Sequence, residues 1–348
     1  MTKRLQDLTA RLGVPRLIII GFLVFIFAIA YITGLPIGPL VSASLIRVGM
    51  NGVLVLAMVP TISAGVGLNF GLPVGVLCGL VGALISMQLG LQGFAGFWSA
   101  IAFSLPLAIV AGWGYALLLN RVKGQEMMVG TYVGFSSVAF MCIFWLLAPF
   151  DNPELVWAIG GRGLRSTLTL DNHFGKVLNR LFLIHWGSLE IPVGLLGFFG
   201  LLCLLVHLCF RTKLGLAVKA AGSNPRFAEA AGIQPDKTRI VGVVLSTVLG
   251  AIGIVVYAQS YGFIQLYMAP LMMGFPAVAA ILIGGASLQK ASISHVLLGT
   301  FLFQTLLTIT LPVTSRVIQG DISEVARLII SNGMILYALT RGERREIA

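Results

Sequence analysis

Residues 221–235 form a polar segment, AGSNPRFAEAAGIQP, between two strongly apolar stretches. The residue types in this segment favour binding to another protein over covalent catalysis. Asn224 is suited to cap a helix because its side-chain oxygen can accept from free backbone N–H groups, and Pro225 suits the first helical position because it has no N–H. Gly232 supplies a left-handed residue that ends the helix. A helix of about seven residues, roughly 10 Å long, is unstable alone, so we expect it to dock against another protein at the membrane surface.

Residues that could perform catalysis are scattered along the chain. The G-x-x-x-x-G-K-[ST] loop that cradles nucleotide phosphates does not occur, so any ATP must be hydrolysed by a separate subunit. A membrane-embedded enzyme would need grouped nucleophiles, acids or metal ligands, and we therefore predict no catalytic residue and no metal site. The histidines and cysteines favour packing or interfacial positions over metal ligation, proton relay or disulfides. They are His173, His185, His207, His295, Cys78, Cys142, Cys203 and Cys209.

The composition is that of a membrane protein. Hydrophobic residues make up 57% of the chain and charged residues 10%, with a mean hydropathy of +0.98, whereas soluble domains contain about 25% charged residues. Because a span needs about 20 apolar residues, we predict an all-α polytopic transmembrane helical bundle of about ten helices in a single domain, 1–348. The predicted spans are 16–33, 45–62, 71–89, 97–119, 127–148, 189–209, 239–259, 272–288, 292–311 and 323–340.

The basic residues orient the chain. With both termini cytoplasmic, seven of the 23 Lys and Arg residues lie outside and the other 16 inside, in agreement with the positive-inside rule. The net charge of +11 then faces mainly anionic lipid headgroups, and binding of nucleic acid is not expected. The seven outer residues are Arg47, Arg162, Arg165, Lys176, Arg180, Arg316 and Arg327.

Three motifs occur in the order and at the separations of a known family. The first is the polar segment, in which Gly222, Ser223, Asn224, Pro225, Ala228, Ala231, Gly232 and Ile233 match. The second, AVAAILIGGAS at 277–287, is an apolar span that ends in a double glycine and a small hydroxyl residue. The third, PTISAGVGLNFGLPVG at 60–75, has a glycine-rich break between two helical stretches. Together they resemble the permeases of ATP-binding-cassette importers, in the branch that serves ribose, galactose, nucleosides and branched-chain amino acids, over most of residues 45–340.

The resemblance implies that the short helix sits in a groove of an ATPase subunit and passes nucleotide-driven motion to the spans; the alternative is an ordinary interfacial helix. It also implies ATP and Mg on that ATPase, a second permease that is identical or paralogous, an extracytoplasmic solute-binding protein, and a bacterial cytoplasmic (inner) membrane. We name residues 210–238 the coupling segment. The residues predicted to contact the ATPase are Gly222, Ser223, Asn224, Pro225, Arg226, Phe227, Ala228, Glu229, Ala230, Ala231, Gly232 and Ile233.

The resemblance further implies a small polar solute as substrate. A monosaccharide is the first choice, because 277–287 and the coupling segment look most like monosaccharide permeases. A nucleoside, a riboflavin-like vitamin and a branched-chain amino acid are alternatives, since specificity in this family resides largely in the binding protein. An ion-coupled secondary carrier is the rival class, and a pathway without an intramembrane acid or base argues against it.

Uncharged polar residues inside the predicted spans are candidates for the solute pathway, because such groups are costly in hydrocarbon unless they face protein or water. The resemblance places this pathway between two permease subunits. Asn69 is the foremost candidate because it falls within 60–75, although many family members carry an acidic residue there. The candidates are Asn51, Ser63, Asn69, Gln259 and Gln304, with Ser136, Ser137 and Asn332 as further members.

Two other patterns give predictions. The hydrophilic stretch 149–188, the outer segment, has glycine and aromatic residues that indicate an ordered extracytoplasmic loop. Its Arg162 and Arg165 are predicted, from the resemblance, to dock acidic residues of the binding protein, the alternative being a solvated loop.

Small residues also recur every four positions, and we expect this stripe to pack against other helices within the bundle. The stripe is Gly67, Gly71, Gly75, Gly79 and Ala83.

Overall fold

The computed structural model describes residues 14–150, 152–156 and 163–317, together with residues 329, 332 and 333. Within these residues the chain is mostly helical, with a few short strands. The helices are α1 (Val14–Ile32), α2 (Ile37–Leu56), α3 (Met58–Ser63), α4 (Leu72–Gln88), α5 (Gly93–Arg121), α6 (Glu126–Leu147), α7 (Val177–Arg180), α8 (Val193–Cys209), α9 (Lys213–Ser223), α10 (Pro225–Ala230), α11 (Pro235–Tyr261), α12 (Gly274–Ile283) and α13 (Ile293–Val317). The strands are β1 (Thr167–Thr169), β2 (Leu183–Trp186), β3 (Leu189–Pro192) and β4 (Phe263–Gln265), and a 3₁₀ helix covers Ala269–Met272.

Several of these helices can cross a membrane. Among the described residues, five helical units are long and apolar enough, and a sixth arises if α8 and α9, which are bent by 77°, count as one span. With three shorter apolar helices, they coincide with nine of the predicted spans and confirm a helical membrane bundle. The tenth predicted span, 323–340, lies largely outside the described residues, so the count of ten and the cytoplasmic termini stay predictions. The five units are Ile37–Ser63, Gly93–Arg121, Glu126–Leu147, Pro235–Tyr261 and Ile293–Arg316.

Two predicted boundaries are wrong. The span predicted to begin at 45 begins at Ile37, because the residues that follow Pro36 are apolar enough to extend the helix. Arg47, predicted to lie outside, is therefore inside a membrane-spanning unit. The span predicted to begin at 189 begins as strand β3, and the helix starts at Val193 after the backbone of Pro192.

The centre of the bundle is formed by α4, α5 and α11, which pack tightly against one another. A Cβ atom placed on Gly75 would collide with the carbonyl oxygen of Thr247, and one on Gly79 would collide with that of Ala251. Close approach of helix backbones replaces the hydrophobic effect as the source of association in lipid. The small-residue stripe therefore packs inside the chain, as predicted.

The outward face of α6 is apolar. Its buried residues in the structure are Gly130, Gly134, Val138 and Trp145, which form one stripe along the helix. On the opposite face, Phe140 and Leu147 are 69% and 77% exposed. A helix that is hydrophobic on both faces is suited to a surface covered by lipid or by another membrane subunit.

The all-α prediction is wrong at the outer segment, which contains strands. β1 pairs antiparallel with β4, with Leu168 opposite Ile264, and β2 pairs with β3 in a hairpin. These short ladders satisfy backbone groups that no helix satisfies there. Because β4 directly follows α11, the first ladder fastens the described part of the outer segment to the end of that helix. We call this end of the bundle the outer end, and the end that carries the coupling segment the coupling end.

Candidate functional site

The predicted short helix is present as α10, and its first turn is capped as expected. Oδ1 of Asn224 accepts a hydrogen bond from the backbone N of Phe227 at 3.1 Å. Pro225 occupies the first position of the helix. The prediction of where this helix starts is therefore confirmed.

The end of α10 is set by a glycine. Gly232 has a φ of +80°, a left-handed conformation that other residues adopt at a cost. Its N–H donates to the carbonyl of Glu229, and the N–H of Ile233 donates to that of Ala228, both at 2.9 Å. These two bonds form a Schellman motif, which stops the helix and satisfies two of its last carbonyl groups.

The helix turns most of its surface outward. Ala228 is fully buried, whereas Phe227 is 67% exposed and Arg226 and Glu229 are exposed beside it. An exposed aromatic ring on a polar loop is a typical anchor for a partner surface. An open hollow next to the helix is lined by Glu229 and residues 232–237. The geometry fits the predicted docking role, which remains a prediction.

Helix α9 holds α10 in place, and the sequence analysis did not anticipate it. It follows α8 after the 77° bend, and Oγ1 of Thr212 caps it by accepting from the N–H of Gly215 at 3.3 Å. The ammonium of Lys219 lies 5.0 Å from the centre of the Phe210 ring. The sequence did contain a signal for the start of α9, because Thr212 is a favourable N-cap residue directly before its eleven residues.

The coupling segment contacts the glycine-rich break directly. A Cβ atom placed on Gly222 would collide with the carbonyl of Ser63 and would lie 2.8 Å from the backbone N of Gly65. In α11, a Cβ on Gly242 would lie 2.5 Å from Cβ of Ala64. Gly65 itself has a φ of +73°. Two motifs predicted separately thus meet backbone to backbone, and only glycine at 222 allows this approach.

The residues after the break are tied to the bundle centre by Asn69, which is 2% exposed. Its Nδ2 donates to Oγ of Ser246 at 2.9 Å, and its Oδ1 accepts from the Tyr115 hydroxyl at 3.1 Å. The Ser246 hydroxyl in turn donates to the carbonyl of Ala57 at 2.6 Å. Asn69 therefore links the break to α5, α11 and the α2–α3 junction from inside the protein.

The other pathway candidates lie in different surroundings. Gln259 is fully buried; its Oε1 accepts from the N–H of Leu178 at 3.1 Å and its Nε2 donates to Oδ1 of Asn179 at 3.2 Å. Gln304 is 4% exposed on α13. Asn51 and Ser63 are half-buried. Of the further members, Ser136 and Asn332 are exposed and Ser137 is half-buried. Their roles in a pathway stay predictions.

Charged pairs at the coupling end were missed by the sequence analysis because their partners are far apart in the chain. Nη2 of Arg239 is bonded to Oε1 of Glu126, and the two side chains are only 13% and 12% exposed. Lys123 and Asp236 form a second pair at 2.5 Å, with both side chains more than half exposed. The pairs fasten the α5–α6 turn to the start of α11, where the coupling segment ends.

The outer segment uses Arg165 internally. Its Nε donates to the carbonyl of Val156 at 2.7 Å, and Nη2 donates to that of Pro153 at 3.1 Å. Arg162 lies outside the described residues, and docking of a binding protein by either arginine stays a prediction.

The Tyr267 hydroxyl donates to the carbonyl of Leu164 at 2.8 Å. Burial, followed by the nearby Cys142, raises the pKa of this phenol, which keeps it a donor.

In the part of the chain that the structure describes, no three side chains of His, Cys, Asp or Glu are grouped as a metal site would require. At the outer end, Nε2 of His173 lies 2.8 Å from Oε2 of Glu154.

Comparison with known proteins gives a family match over most of the chain. The family described as "Branched-chain amino acid transport system / permease component" matches residues 40–339. No solved structure matches the chain.

Curated relatives are similar over somewhat shorter regions. The nucleoside ABC transporter permease protein NupB of Lactococcus lactis subsp. cremoris is 25% identical over 58% of this chain and 62% of the relative. NupC of the same organism, also named a nucleoside permease, is 32% identical over 61% of this chain and 64% of the relative. The autoinducer 2 import system permease protein LsrC of Yersinia pestis is 27% identical over 65% of this chain and 72% of the relative. The chain thus spans slightly less than two thirds of the two nucleoside permeases.

Proposed function

The chain belongs to the family of branched-chain amino acid transport system permease components, and on this premise we propose that it is the membrane-spanning permease subunit of an ATP-binding-cassette importer. It forms the pathway for a small polar solute together with a second permease that is identical or paralogous. A solute-binding protein delivers the solute at the outer end. The complex resides in a bacterial cytoplasmic (inner) membrane with the coupling end in the cytoplasm.

The observation that carries this proposal is that the capped helix α10 directly follows α9, whose Gly222 packs against the glycine-rich break. In the proposal, the exposed Phe227 inserts into a groove of an ATPase subunit, which binds ATP and Mg. The buried side of the coupling segment contacts Ser63 and Gly65 through Gly222. The coupling segment therefore contacts the break between α3 and α4, and in the proposal its movement rearranges these two helices.

The motion then has a defined route into the spans. The break continues to Asn69, whose hydrogen bonds reach Tyr115 on α5 and Ser246 on α11. The Arg239–Glu126 pair adds a second connection between α11 and the α5–α6 turn. Closure of the ATPase pair would displace α10, and these contacts would convert the displacement into alternating access of the pathway.

The proposed substrate is a solute that carries a sugar ring. A monosaccharide is the first choice from the sequence, and nucleosides, for which two relatives are named, carry the same kind of ring. Asn51, Ser63, Asn69, Gln259 and Gln304 remain the sequence-derived pathway candidates. The enclosure of Asn69, Gln259 and Gln304 makes them suited to positioning the helices rather than to contacting solute.

The proposal is tested by removing the exposed ring of α10. We expect Phe227→Ala to lose the ATPase on purification in mild detergent and to lose ATP-dependent uptake, because the ring is the apolar anchor of the interface. The matched control is Phe182→Ala, which removes a ring that is 74% exposed at the outer end and should leave the ATPase bound.

Two results would contradict the proposal. If no ATPase accompanies the unchanged chain, even with crosslinking from a cysteine placed at Arg226, the importer proposal fails and an ion-coupled carrier becomes the better account. An ATPase that binds equally well to Phe227→Ala would contradict the docking role of α10.

A further inference from the structure

Arg47 lies deep within a membrane-spanning unit. The unit Ile37–Ser63 is one apolar stretch of 27 residues, and Arg47 follows its first residue by ten positions. At about 1.5 Å per residue, the arginine is roughly 15 Å from the outer end and 24 Å from the coupling end. A charged side chain at such a depth is costly and marks a functional site.

The guanidinium of Arg47 is not neutralised by a carboxylate in the described part of the chain. None of the ion pairs found there includes this residue, and its side chain is half-buried. One turn further along α2, Asn51 donates to the backbone carbonyl of Arg47 at 3.0 Å. These two polar residues share one face of the helix, since they are four positions apart.

Two tyrosines on α11 complete this surface. The rings of Tyr257 and Tyr261 are stacked, with centroids 5.5 Å apart and an angle of 15° between their planes. Tyr261 is 44% exposed, and the centroid of the Phe263 ring lies 4.5 Å from that of Tyr261, with an angle of 70° between the two planes.

Helices α2 and α11 run side by side in opposite directions, because Ser246 bonds to Ala57 and a Cβ on Gly253 would lie 2.7 Å from the side chain of Leu54. Arg47 is seven positions before Leu54 and the tyrosines are four and eight positions after Gly253, so the arginine and the tyrosine pair lie at the same level of the bundle.

The composition of this surface separates it from a lipid-facing one. The exposed face of α6 presents apolar side chains such as Phe140 and Leu147, whereas this surface presents a guanidinium, an amide and phenol groups. Hydrocarbon would leave those groups unsolvated, so the surface must face water, solute or the second permease rather than lipid. It is therefore a better candidate for the lining of the pathway than the enclosed Asn69 or Gln259.

We propose that Arg47, Asn51, Tyr257 and Tyr261 form a subsite in the outer half of the pathway that recognises the planar, carbonyl-bearing base of a nucleoside. The guanidinium donates to the carbonyl oxygens of the base, for which its planar fork of N–H groups is suited. The base packs against the exposed part of the Tyr261 ring, as bases do on aromatic side chains. The inference rests on the proposed importer function and narrows its substrate from any sugar-ring solute to a nucleoside.

The test uses 4-thiouridine, a nucleoside that forms covalent bonds to adjacent side chains under near-ultraviolet light. The complete importer in its native membrane, with its own binding protein, is illuminated during ATP-dependent uptake, and the labelled peptides are identified by mass spectrometry. We expect the label on the peptide that contains Tyr257 and Tyr261. Excess uridine should suppress this labelling, whereas excess ribose should not.

Variants provide a second readout. Arg47→Gln should lower uridine uptake at least tenfold while the ATPase still co-purifies, and Arg47→Lys should lower it less. Tyr261→Ala should raise the KM for uridine, and the matched control is Tyr132→Ala, which removes a 65% exposed ring from α6 and should change neither kcat nor KM.

The outcomes distinguish this inference from the importer proposal. Uridine uptake with the label confined to other peptides would overturn the subsite and leave the importer intact. Uptake of ribose but not of uridine would overturn the nucleobase assignment, as would the absence of both activities in a complex that retains its ATPase. Loss of the ATPase interaction itself would be detected separately, by the Phe227→Ala comparison.

Discussion

The coupling segment and the outer segment both connect membrane spans, but they are held together in different ways. In the coupling segment, the caps at Asn224 and Gly232 bond to residues within five positions along the chain. In the outer segment, β1 pairs with β4 across almost a hundred residues, and Gln259 of α11 binds the backbone of Leu178. One segment is built by local signals, and the other is assembled by distant parts of the chain.

This difference suits different tasks. A lever that docks on another subunit must keep its shape while it moves, and the local caps of α10 provide that with hydrogen bonds inside the segment itself. The coupling segment meets the bundle beside this helix, through Gly222 at Ser63 and Gly65 and through Asp236 at Lys123. The outer segment instead follows the end of α11, because Gln259 and β4 attach it there. Variants that disturb each kind of contact therefore test whether the two segments respond differently.

The largest effect is expected at the enclosed ion pair of the coupling end. Arg239→Met leaves the carboxylate of Glu126 without its partner at a site with 12% exposure, and breaking such a pair costs about 3–5 kcal/mol. Lys123→Met, in the exposed pair beside it, should cost at most about 1 kcal/mol. Thermal unfolding in lipid nanodiscs measures both, and equal shifts for the two variants would contradict the distinction.

A smaller loss is expected when the contact between lever and break is crowded. Gly222→Ala places a methyl group against the Ser63 carbonyl, and because backbone atoms cannot rotate away we expect about 3 kcal/mol of destabilisation. Uptake should fall more than ATPase binding, since docking surfaces remain. Gly200→Ala is the control, because nothing lies within 4 Å of a Cβ there. Normal uptake by Gly222→Ala would show that motion does not pass through this contact.

The outer segment should respond locally to loss of its attachment. Gln259→Leu leaves the N–H of Leu178 without its acceptor, at a cost of about 2 kcal/mol. Hydrogen exchange should accelerate in residues 176–180 and stay unchanged in the coupling segment. Gln265→Leu, at an exposed position of β4, is the comparison that should leave exchange at 176–180 as it is. Faster exchange at α10 in Gln259→Leu would mean that the two ends are not independent.

The smallest effect is expected at the helix cap. Asn224→Ala removes the acceptor for the N–H of Phe227, which costs about 1 kcal/mol. Asn224→Asp retains an acceptor and should behave like the unchanged chain. Hydrogen exchange at residues 227 and 228, together with ATPase affinity, measures the result, and an unaltered α10 in Asn224→Ala would show that docking on the bundle, rather than capping, defines the helix.

The parts that the sequence predicted are those with local signals. The start and stop of α10 were legible from Asn224, Pro225 and Gly232, and most spans from their apolar runs. The depth of Arg47 was not predicted from the sequence. The helix begins ten residues before it, and those residues show no sharp change from polar to apolar side chains. The strands of the outer segment were missed because three or four residues carry too weak a periodic signal.

In the candidate site, too, features coded by neighbouring residues were predicted and contacts between distant residues were not. Caps, left-handed glycines and hydropathy act over a few residues, so residue types alone specify a short capped helix between apolar spans and a glycine-rich break in an early span. The packing of Gly222 on the break, the enclosure of Asn69 by Tyr115 and Ser246, and the pairing of Arg239 with Glu126 became visible only in the folded chain. Those contacts depend on how the helices are arranged in three dimensions, which residue types along one chain do not specify.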